Sequence, residues 1–173
     1  NKKFLDSSWY YLTKSEENYL QFKEKVAPST QAVTYINIAN YYLNYSGNDY
    51  HANLKKAEKY LNEAENISKT NPEFGDKLAF VYGIRSEFAF RQGNINAAES
   101  YLNQSIESVK KLDVASYKTE YNIYNSFVKL YQHSGDYKKA LEFQKKAEQT
   151  LQKIMDEKQI FNSQKIEIQY ETE

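Results

Sequence analysis

Imidazoles, carboxylates and thiols are the groups from which a chain of this kind could build an active site, and the supply is thin. His51 and His133 are the two histidines, and there is no cysteine among 173 residues. A metal ion needs converging ligands, and neither histidine has a partner at His-x3-His or His-Glu-x-x-His spacing. A lone imidazole also lacks the neighbours that make a proton relay. Both histidines are therefore expected at the surface, His51 in an insertion and His133 two residues before a turn glycine. Without cysteine there is no thiolate ligand, no thiol nucleophile and no disulfide. Neither a GxGxxG nor a GxxxxGK run occurs, so no phosphate cradle is visible. Carboxylate pairs such as Glu16-Glu17 suit a solvated helix face, because nothing around them suggests desolvation. The expectation is a non-catalytic chain with no cofactor and no metal.

Composition narrows the partners. Lys and Arg number 23 and so do Asp and Glu, so no net field favours nucleic acid, and none is expected as a ligand. The longest apolar run, Leu78 to Ile84, is far shorter than the roughly 18 residues of a membrane span. Seventeen Tyr and nine Phe carry much of the hydrophobic content. Tyrosine suits a thin helical assembly, because its ring packs while its hydroxyl reaches the nearby surface. The length fits one globular unit burying roughly 70% of its unfolded surface. Beginning at Asn1 without a signal peptide, the chain reads as an excised domain.

The elements that must position any site come from a repeat. Ala57-Glu58-Lys59-Tyr60-Leu61-Asn62-Glu63-Ala64 is echoed by residues 98–105 and 140–147, with leading alanines 41 and 42 residues apart. Each block keeps a small residue, an aromatic three places on, and a second small residue seven places on. Those positions share one helical face, so each block predicts a helix that another helix approaches closely. Gly93-Asn94 and Gly135-Asp136 stand at the same distance before their alanines, with glycine for a left-handed helix end and Asn or Asp to cap the next helix. In the first unit Gly47 is followed by an insertion over Asn48 to Asn53. Tyr35, Tyr82 and Tyr124 upstream, with Tyr60, Tyr101 and Phe143 downstream, are expected between the helices. Ser116 and Asn71, the latter followed by Pro72, are expected to cap helices.

This arrangement resembles the tetratricopeptide repeat family. The match is best over Tyr121 to Leu151, through Tyr124, Phe127-Val128, Tyr131, Gly135-Asp136-Tyr137, Ala140, Phe143 and Ala147. Tyr stands where the family usually has Trp, and the period of about 42 exceeds the family's 34. The resemblance implies an all-α, right-handed superhelical solenoid of antiparallel helix hairpins. Residues 1–28 form a degenerate first unit or cap, 29–157 three hairpins, and 158–173 a helical extension. It further implies that the first helix of each pair lines a concave groove for a protein or peptide. Carried over residue by residue, the groove positions are Ile36, Asn40 and Asn44, then Gly83, Glu87 and Arg91, then Asn125, Lys129 and His133. Asn amides can grip a peptide backbone through paired donor and acceptor; the alternative for each is a solvated polar residue. Asn40 and Lys129 partly match the family's carboxylate-gripping set, whose positive field Glu87 interrupts.

The C-terminal end has neither Gly nor Pro after Gly135, so a helix can run far past the last repeat. Ala147, Ile154, Phe161 and Ile168 recur every seven residues, half of a coiled-coil pattern, and predict a homodimer contact through this helix. Ile166, Ile168 and Tyr170 also alternate as in a strand. Residues 164–173 resemble the segment leaving the last repeat of Bacteroidetes-type sensor histidine kinases and repeat-containing transcription regulators. That resemblance implies the sensory module of a bacterial signal-transduction protein, with a missing downstream output region that alone would bring a membrane span. It slightly favours a periplasmic site over a cytoplasmic one. The alternative is a stand-alone adaptor that scaffolds a protein complex.

Overall fold

The computed structural model describes residues 2–22, 25–44 and 50–171. Among them are seven α-helices and no strand: α1 (Lys2–Gln21), α2 (Pro28–Asn44), α3 (Tyr50–Lys69), α4 (Gly75–Arg91), α5 (Ile95–Lys110), α6 (Tyr117–Ser134) and α7 (Tyr137–Glu171), with a 3-10 turn at Pro72–Phe74 before α4. The protein is all-α. The Gly47 turn and the start of the expected insertion lie outside the described residues, whereas residues 50–53 already belong to α3. None of the described helices is long and apolar enough to cross a membrane.

The helices pair as α2 with α3, α4 with α5, and α6 with α7. The repeated small residues explain the pairing. Ala57, Ala64, Ala98, Ser105, Ala140 and Ala147 are all buried, and bring neighbouring backbones within reach of one another. At the α4–α5 contact the approach is close enough for reciprocal bonds. Ser86 donates to the Ala98 carbonyl at 2.9 Å, and Ser105 donates to the Ala79 carbonyl at 2.8 Å. Leu61 and Leu102 fill the space beside the alanines, each stabilising by roughly 1.5–3 kcal/mol on burial. In the last pair Phe143 stacks on Phe127 with ring centres 4.1 Å apart and on Tyr131 at 5.6 Å.

The turns follow the expected chemistry at both sites that lie among the described residues. Gly93 and Gly135 adopt φ of +74° and +79°, the only positive values among the described residues. The Asn94 amide N–H bonds back to the Ala89 carbonyl, closing α4, and its side chain accepts from the Ala97 N–H to open α5. Asp136 caps α7 by accepting from the Lys139 N–H. Two expected caps differ. Asn71 stands at the cap position before Pro72 and its carbonyl accepts from the Phe74 N–H, but its side-chain amide turns back to the Ile67 carbonyl at 2.7 Å instead of capping. Ser116 stands at the cap position of α6, but its hydroxyl donates to Thr119 Oγ1.

Consecutive pairs join through α3 on α4 and α5 on α6, and the first helices also meet, α2 on α4 and α4 on α6. α4 is therefore the hub and is buried on several faces, through Ala79, Val81, Tyr82, Arg85, Ser86 and Ala89. Its first residue, Gly75, lies so near α5 that an added Cβ would sit 2.3 Å from the Ser108 carbonyl oxygen. Tyrosine hydroxyls stitch each layer to the one before it. Tyr60 donates to Glu16, Tyr82 to Glu65 and Tyr131 to Glu99. Burial first, then these bonds, push the three phenols above their ordinary range.

The ends differ in how they are covered. α1 is one unbroken helix, and it covers the first pair: Trp9 stacks on Tyr41 with ring centres 4.8 Å apart. α7 runs for 35 residues, about 52 Å at 1.5 Å per residue. It packs on α6 through Thr150, with Lys153 still over the Tyr117 ring, whereas Leu151, Met155, Ile160 and Phe161 stand exposed. The helix continues through 166–170, so the strand-like alternation there does not produce a strand.

Candidate functional site

A cleft of about 260 Å³ opens along α4 between α2 and α6. It follows from the pairing order. α4 packs on both neighbours and forms a floor, while α2 and α6 rise as walls. Phe80, Ile84, Leu43 and Ile123 make the lining largely apolar, and Phe80 stays 49% exposed. In the middle of the floor stands Gly83. A Cβ added there would meet nothing within 4 Å, so the fold itself does not need the missing side chain.

One end of the cleft carries a hydrogen-bonded chain of four expected groove residues. Asn44 donates to Asn40 Oδ1 at 2.6 Å, Arg91 Nη2 donates to Asn44 Oδ1 at 2.7 Å, and Arg91 Nε donates to Glu87 at 2.9 Å. Arg91 Nη1 reaches the Leu43 carbonyl at 3.4 Å, so the guanidinium also serves the exposed C-terminal end of α2. These groups therefore bind one another, and the rim is a fixed polar edge rather than a row of idle donors.

The remaining expected positions divide. Ile36 is buried in the core of the first pair and does not reach the cleft, because its face of α2 packs inward. Asn125 is absent from the cleft as well: its amide donates to the Tyr121 carbonyl of its own helix at 2.8 Å. Lys129 lines a narrow continuation between α4 and α6, beside Gly83 and Glu87. His133 is exposed and meets the edge of the Phe90 ring at 4.8 Å between centres. On α6 the wall is formed by Thr119, Asn122, Ile123 and Ser126, which the family's positions did not identify. Their spacing of three and four residues was the available signal. Gly83, a further expected groove position, does sit in the cleft.

A second polar cluster lies between the first two pairs, and the sequence reasoning passed over it. Arg85, on the buried side of α4, donates to Glu65 at 2.6 Å and to Asn62 at 2.6 Å, and pairs with Glu58 at 3.0 Å. Its Nε is buried without a partner among the described residues. Glu65 also accepts from Tyr82 and pairs with Lys69. Burial alone would raise the Glu65 carboxyl, but bonds from Lys69, Arg85 and Tyr82 outweigh it and hold the group at about 2. With both charges neutralised by neighbours, this cluster joins α3 to α4. The signal was an arginine directly after the longest apolar run.

Compared with models of protein families, with characterised proteins and with solved structures, the chain matches none.

Proposed function

We propose that this chain is a non-catalytic repeat domain that binds a protein or peptide in the cleft over α4. In this reading the three pairs are tetratricopeptide-like hairpins stacked as a right-handed solenoid. The supporting observation is the joint register of the three pairs: the same small positions are buried in each, and the three first helices, α2, α4 and α6, together enclose an open apolar cleft. An apolar floor with a few fixed polar groups at its rim is the usual make-up of a recognition site. The polar rim orients a ligand, and the floor supplies the burial that drives binding.

Gly83→Trp tests it directly. The new ring fills the cleft without displacing core, since nothing lies within 4 Å of a Cβ there. Peptides selected from a displayed random library against the native chain should lose affinity for Gly83→Trp while thermal melts remain native-like. Peptides that bind both forms equally refute the cleft as the site.

The resemblance of residues 164–173 to connector segments supports placing the domain as the sensor or regulatory module of a bacterial signalling protein. The gene beyond Glu173 decides between this and a stand-alone adaptor. About 20 apolar residues and a kinase or DNA-binding domain establish the first; an immediate stop codon establishes the second.

A further inference from the structure

Two uncovered apolar surfaces on this chain are complementary, and neither can reach the other within one molecule. The first is the cleft over α4. The second is the outer half of α7, where Leu151, Met155 and Phe161 stand exposed beside the half-buried Ile154, at offsets of three, four and ten residues from Leu151 that keep them on one broad helical face. Leu151, Met155 and Phe161 are 39%, 57% and 66% exposed, and α7 packs chiefly on α6 before running on as one unbroken helix. An isolated helical extension is marginal in water without a packed apolar face. Because it does not bend, α7 cannot return to its own cleft.

We infer that the outer half of α7 from a second copy of this chain docks in the cleft over α4. The inference rests on the reading of that cleft as a binding site. Length, shape and charge agree. Leu151 to Phe161 spans about 15 Å of helix, and Phe80 to Arg91 about 16 Å of cleft floor. Gly83, midway along the floor, bares backbone where a crossing helix needs close approach, and no residue of its own chain exploits that space. Lys158 lies on the same face of α7, between Met155 and Phe161. Glu87 stands 57% exposed in the cleft, open to a cation beyond its bond to Arg91. A head-to-tail contact of this kind closes as a reciprocal dimer or continues as an open chain.

The full chain supplies the test, and its lack of cysteine keeps the labelling clean. Light scattering of the wild type should give a mass above the 20.4 kDa monomer, rising with concentration. Phe161→Asp and Gly83→Leu should each weaken association at least tenfold while the monomer folds at least as stably as the wild-type monomer, because both positions face open space. Equal mixtures of single-cysteine chains Gly83→Cys and Met155→Cys should form a mixed disulfide between copies. A wild type that stays monomeric at about 1 mM overturns the inference, as does Gly83→Leu that associates like the wild type. Disulfides formed only between two Met155→Cys chains also overturn it, because they indicate that α7 pairs with α7. Phe161→Asp leaves the cleft open, so selected peptides should still bind it. Failure of self-docking is thereby separated from failure of the cleft as a site.

Discussion

Replacing Glu65 by Gln removes the charge that balances the buried end of Arg85. The carboxylate accepts from Arg85 at 2.6 Å and from Tyr82 at 2.9 Å, and pairs with Lys69 at 2.7 Å. Lys69 is mostly in solvent, so its pair contributes little. Arg85 is the costly partner, with its side chain only 10% exposed. Leaving a buried charge unpaired costs about 3–5 kcal/mol. Glu58 and Asn62 still hold the guanidinium, and the amide oxygen of Gln still accepts, which reduces the loss to about 2–3 kcal/mol. Titration leads to a similar value. The folded carboxyl sits at about 2 against an ordinary 4.5, a depression worth about 3 kcal/mol. Between those values the unfolded chain holds the proton and the folded chain does not. The contribution is therefore complete above about pH 5, declines as pH falls through the interval, and is gone below about pH 2. Urea denaturation followed by circular dichroism should show Glu65→Gln about 2–3 kcal/mol less stable at pH 7, with more than half of that gap closed at pH 3. Equal stabilities at pH 7, or a gap unchanged at pH 2, would refute the reasoning.

Two glycines of α4 should respond in opposite directions. Gly83→Ala should raise stability by about 0.5–1 kcal/mol, since the added methyl meets open space and helical glycine is entropically costly. Gly75→Ala should lower it by about 1–3 kcal/mol, because the methyl collides with the Ser108 carbonyl oxygen. Denaturant midpoints compare the two directly, and a same-sign response contradicts the account of α4. Ala98→Leu should cost about 1–3 kcal/mol by forcing α4 and α5 apart. It should also break the Ser86 bond to the Ala98 carbonyl, and an unchanged melt would show that the pair packs elsewhere.

Helix pairing was legible because it depends on short-range spacing. A small residue at i and i+7 with an aromatic at i+3 defines one face, and a glycine followed by Asn or Asp defines where that face begins. Gly93-Asn94 and Gly135-Asp136 needed no tertiary information to be placed. Asn71 and Ser116 do stand at cap positions, but their side chains bond elsewhere because capping competes with other nearby polar groups. Asn71 finds the Ile67 carbonyl one turn back, and Ser116 finds a hydroxyl three residues on. Arg85 was invisible for a different reason. Periodicity marks it as facing inward, but only the three-dimensional arrival of Glu58, Asn62 and Glu65 from α3 shows how a buried guanidinium is balanced.

The cleft was half legible, and the missing half bears on how recognition works. Carrying positions over from a family assumes that each helix presents the same face. α2 and α4 do so for Asn40, Asn44, Glu87 and Arg91, whereas α6 presents Asn122 and Ser126 at the wall in place of Asn125. The four residues that did converge spend their hydrogen bonds on one another and on the end of α2. A ligand that sought those amides would have to break bonds of similar strength to the ones it formed, with little net gain. In the proposed reading, the discriminating energy comes from apolar surface buried on Phe80, Ile84, Leu43 and Ile123. The polar rim then acts mainly against wrong ligands, whose unpaired groups it would leave buried. The proposed function then predicts selectivity for an apolar helical face over an extended polar peptide, with Gly83 setting how closely such a ligand's backbone can approach.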